Sequence, residues 1–94
     1  MALANDILAK IRGDFSGGET ILVIDRLESL QREDVQLFSD RIIRCILFVA
    51  AGQLTVVEQA IKQARTDYRD LIIWAEYDGH FGVQHRDLSL SFAV

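Results

Sequence analysis

Ninety-four residues, half of them apolar and none of them proline, carry ten basic and fourteen acidic side chains for a net charge of −4. No basic block is present to neutralise phosphates, so nucleic acid is not an expected partner. The longest apolar run, Cys45 to Gly52, falls far short of the ~20 residues that span a bilayer, so no membrane is expected either.

Cys45 is the single cysteine, which rules out an internal disulfide and a multi-thiolate zinc site. The amino terminus has no basic start before an apolar run and does not read as a signal peptide, so a cytoplasmic location is expected.

Leu3, Ile7, Leu8 and Ile11 share one helical face over residues 3–12, with Gly13 as the expected stop. In the turn-like DFSGGE that follows, Ser16 and Glu19 have capping-box spacing. Thr20 to Ile24 is β-branched enough for a strand, but Ile24, Leu27 and Leu30 keep a helical step. Helix is the expectation. An α+β fold follows instead if residues 20–24 pair with residues 87–93.

Residues 31–38 read as a connector with room for one helical turn. Ser39 is then placed as an N-cap, and Phe38 and Ile43 have the spacing of a hydrophobic staple across it. This helix should run to about Ala51 and end at Gly52.

Thr55 and Glu58 form a second candidate capping box. Beyond them Val57, Ile61, Ala64, Tyr68, Leu71 and Ala75 step by four and three, the strongest periodic signal in the chain. Thr66-Asp67 is a candidate kink within it. Asp78-Gly79 marks a turn, after which Leu88, Leu90, Phe92 and Val94 alternate with polar or small residues, as in an extended segment with one apolar face. The expected fold is mainly α: a four-helix bundle-like single domain over residues 1–94 that includes an extended C-terminal segment.

Several stretches resemble chemistry. His85-Arg86-Asp87-Leu88 matches the opening of a kinase catalytic loop, but the phosphate loop, strand lysine and metal-binding Asp-Phe-Gly are missing. His85, Asp87 and Ser89 would share a strand face at ~6.6 Å per step, too far apart for a nucleophile and its base. Glu76, Asp78, His80, His85 and Asp87 gather five potential ligands in twelve residues. Their spacing fits no ligand motif, and a solvated turn is the favoured reading. Cys45 beside Arg44 fits a core filler better than an activated thiol.

FVAAGQLTVVEQAIKQAR loosely resembles a helix-turn-helix, with Gln59, Lys62, Gln63 and Arg65 on the outer face of its second helix. Glu58 in the first turn and the acidic net charge oppose that use. RCILFVAAG and ARTDYRDLIIWAEYD have the texture of short bacterial proteins, without the motif of any named family.

The remaining signal is an excess of apolar surface. The helix after Ser39 is apolar around more than half its circumference, with Arg41 and Arg44 on its polar edge and Phe48 between them. Ile73, Trp74 and Tyr77 point away from the Val57–Ala75 stripe. These six residues form the expected interaction surface. A non-enzymatic interaction or accessory protein is expected, binding a second copy of itself or another protein and needing no cofactor. A DNA-binding regulator and a metal-dependent enzyme using His80 and His85 are the alternatives.

Overall fold

The computed structural model describes residues 3–77 and 86–92. Four helices, α1 (Asn5–Asp14), α2 (Gly18–Glu33), α3 (Asp40–Ala50) and α4 (Leu54–Glu76), make the fold mainly α, with no strand among the described residues. Residues 20–24 are helical throughout, which removes the α+β alternative. The β-branched run resolves this way because its step of three and four puts Val23, Leu27 and Leu30 against the core.

α3 is the hub. It packs most extensively along α4, and α1 contacts both α2 and α3. Ile42, Ile43, Cys45, Ile46, Leu47 and Ala50 are all buried, which consumes most of its circumference. Its start is as expected: the Ser39 hydroxyl accepts the Ile42 N–H, and Phe38 and Ile43 are both buried across the cap. Its end is sharper than a simple stop. Ala51 is left-handed and Gly52 follows with φ +84°, where a Cβ would meet the Asp14 carbonyl oxygen at 2.9 Å. Glycine is therefore needed at position 52 for conformation and for the close approach of the α1 terminus.

Neither proposed capping box forms. α2 begins after Gly17, which takes φ +59°, and Ser16 contributes only its carbonyl, to the Glu19 N–H. α4 begins two residues earlier than the Thr55 cap requires, with Gln53 as N-cap and no side-chain cap. Leu54 packs against the core there, and Glu58 is drawn to Arg26 of α2 at 3.0 Å instead of reaching back.

The predicted break in α4 is real. Asp67 has non-helical backbone angles, its carboxylate accepts the Arg69 N–H, and the Thr66 hydroxyl donates to the Lys62 carbonyl. Asp67 thus re-caps the helix. The buried stripe loses one member as a result: Tyr68, at the kink, is half exposed, while Val57, Ile61, Ala64, Leu71 and Ala75 are buried.

The C-terminal segment does not keep a two-residue alternation. Residues 86–92, the arm, contain a turn in which Leu90 N–H donates to the Asp87 carbonyl and the Asp87 carboxylate holds both the N–H and hydroxyl of Ser89. The turn buries Leu88 but leaves Leu90 exposed, with Phe92 partly buried. Asp87 and Ser89 compete locally for backbone groups, which defeats the strand pattern.

Candidate functional site

The six residues of the expected surface separate into two places. Arg41, Arg44 and Phe48 lie on α3 beneath or beside the arm. Ile73 and Trp74 lie on the outside of α4, each 49 % exposed, with Tyr77 half-buried at its end.

The α3 half is built from charge. Arg44, with only 8 % of its surface exposed, forks onto the Asp6 carboxylate of α1, Nε to Oδ2 at 2.9 Å and Nη2 to Oδ1 at 3.2 Å. Its remaining nitrogen, Nη1, donates to the carbonyls of Leu88 and Ser89 at 3.4 and 3.3 Å. Asp6 Oδ2 also accepts the Phe92 N–H at 3.1 Å. The bonds from Arg44 hold the Asp6 carboxyl below its usual range, against the opposing effect of burial, and Asp6 in turn raises the Arg44 guanidinium.

One turn earlier, Arg41 forks onto Glu76 at 2.8 and 2.7 Å, and Glu76 is fully buried. Glu76 also accepts the Leu88 N–H at 3.3 Å. Arg41 is raised by this bond, as a guanidinium gripped by a carboxylate should be. A charge this deep is tolerated only when it is paired and its lone pairs are filled.

The arm is therefore held by ionised side chains of three helices. Its own Arg86 adds to this, donating to the Ala75 carbonyl and stacking 4.2 Å from the Phe48 ring centroid. Asp6 was not evident as a site residue from the sequence. The available signal was two arginines three apart on an otherwise apolar helix, which demand buried counter-charges somewhere.

The α4 half is built from apolar surface. Leu71 and Ala75 face the core, Ile72 is partly buried, and Ile73 and Trp74 project to the other side. A groove of about 540 Å³ lies at the kink, lined in part by Leu37, Ile42, Tyr68 and Ile72.

The other sequence candidates fall as follows. Glu76, a proposed metal ligand, is engaged by Arg41, and Asp87 is engaged by Ser89. Asp78, His80 and His85 lie outside the described residues, among which no group of His, Cys, Asp and Glu could hold a metal ion. The buried Cys45 thiol sits 3.9 Å from Glu76, and burial, reinforced by that negative charge, pushes it up to about 12. It is held protonated and so is a poor nucleophile.

Of the outer-face residues in the helix-turn-helix reading, Arg65 pairs with Glu33 at 3.2 Å and Gln63 bonds the Asp67 carbonyl. Gln59 and Lys62 are exposed. Among the described residues no helix is long and apolar enough to cross a membrane. Comparison with protein-family models, curated proteins and solved structures finds no match to this chain.

Proposed function

We propose that this chain is a cytoplasmic interaction module that works by protein–protein contact, its first partner being a second copy of itself. The observation that carries this reading is the outer face of the C-terminal half of α4. Ile73 and Trp74 are half exposed there, although the opposite side of the same turn already supplies the core through Leu71 and Ala75. A helix that has satisfied its core side has no folding reason to carry Trp and Ile on the other. Tryptophan and tyrosine, moreover, are the residue types that anchor interface centres.

Size-exclusion chromatography with light scattering tests the reading. Wild-type chain at tens of micromolar is expected to run at twice its monomer mass. The I73D/W74S chain should run as a monomer with an unchanged far-ultraviolet dichroism spectrum. A wild-type chain that stays monomeric at these concentrations contradicts the proposal.

A further inference from the structure

The arm and the surface that receives it are complementary in a way that does not depend on their belonging to one molecule. The receiving surface belongs to the bundle, because Arg44–Asp6 and Arg41–Glu76 are helix-to-helix pairs. What these pairs lack without the arm is specific. Arg44 Nη1 needs the Leu88 and Ser89 carbonyls, Asp6 needs the Phe92 N–H, and the Leu88 side chain completes the buried core.

A buried guanidinium left without acceptors is costly, so the seat must be occupied. Its occupant is recognised by backbone groups, one leucine and the Arg86 side chain, a set that any copy of residues 86–92 presents equally well. Eight residues separate Tyr77 from Arg86, a covalent reach of roughly 30 Å when fully extended. The chain leaves for the arm at the end of the very helix whose outer face carries Ile73 and Trp74.

From these facts together we infer that the self-associated form exchanges arms. Residues 86–92 of each copy occupy the Arg44–Asp6 seat of the other, and the crossing brings the two α4 ends together so that Ile73 and Trp74 are covered. Exchange keeps every seat filled and every buried charge bonded, while the contact between α4 faces supplies the gain that an isolated chain lacks. This rests on the self-association proposed above and adds to it which segment crosses and where it lands.

Ala9 of α1 and Phe92 of the arm line one small cavity, so a cysteine at each reports the arm's position. In the A9C/F92C chain, the native Cys45 remains buried and does not compete for reagent. The full-length chain is treated with a short bismaleimide at tens of micromolar, and the products are separated on a denaturing gel. Arm exchange predicts a covalent dimer as the main product, absent from either single variant.

A cross-linked monomer in a sample that light scattering shows to be dimeric overturns the exchange and leaves association through α4 standing. A cross-linked monomer in a monomeric sample overturns both. Absence of any cross-link shows that the arm does not rest on α1 and also overturns the exchange.

Discussion

α3 and the C-terminal half of α4 begin with the same problem and meet different ends. Each carries more apolar side chain than its helix neighbours can bury, and each bears an aromatic ring on its outer side, Phe48 or Trp74. On α3 the arm returns, stacks Arg86 on Phe48 and buries Leu88, leaving Phe48 at 37 % exposure. On α4 Ile73 and Trp74 stay at 49 %.

The difference lies in charge placed to catch the chain. α3 carries Arg41 and Arg44, anchored by Glu76 and Asp6, which offer bonding sites for passing amides and carbonyls. Among the described residues, Ile73 and Trp74 on the exposed face of α4 have no such charged pair beside them. Surplus apolar surface alone does not say whether a helix is covered from within; the ionic anchors beside it do.

The sharpest way to break the comparison is to remove the anchor of the α3 side. Glu76→Ala leaves Arg41 without its carboxylate and the Leu88 N–H without its acceptor, and it should cost about 3–5 kcal/mol of stability, read from urea unfolding. A loss below about 1 kcal/mol would mean that the buried pair contributes little. Arg44→Met should cost somewhat less, roughly 2–4 kcal/mol, because the apolar stem is kept while Asp6 is left unpaired. The same variant should speed proteolysis within the arm several-fold, seen by mass spectrometry of timed digests.

A smaller effect comes from acid. The Asp6 carboxyl lies below its ordinary value of 3.8 when folded, chiefly through its bond to Arg44. Its contribution is complete above that ordinary value and disappears as pH falls through the lowered folded value. Wild-type stability should therefore decline as pH falls below about 4 more steeply than that of Asp6→Asn. Parallel curves would show that the clasp is not ionic in origin. Smallest in stability is Trp74→Ser, expected within about 0.5 kcal/mol of wild type. Its effect should appear in association alone, which is the counterpart of the α3 substitutions.

Much of the fold was legible because it is written in local spacing. The Phe38–Ser39–Ile43 staple, the Asp67 kink and the buried stripe from Val57 to Ala75 each depend on residues a few positions apart. The capping boxes failed where a competing partner was distant or a glycine was near. Glu58 found Arg26 on another helix, and Gly17 let the chain enter α2 at positive φ.

The clasp was illegible for the same reason. Arg44 and Asp6 are 38 positions apart and Arg41 and Glu76 are 35 apart, distances over which no period operates. Arg44, which in sequence resembles an exposed cation on a helix edge, is thereby part of the interior. Of the expected surface, Ile73 and Trp74 stand most open to solvent, and Phe48 keeps 37 % exposure beneath Arg86.

Trp74 is the only tryptophan in the chain, so its fluorescence reports the exposed α4 face without labelling. The emission of the wild-type chain, and its quenching by acrylamide, should be followed from below one micromolar to above one hundred. Association through this face predicts a shift to shorter wavelength and several-fold weaker quenching as concentration rises, with helical content constant. Emission and quenching that stay unchanged and solvent-like across the whole range would contradict the account.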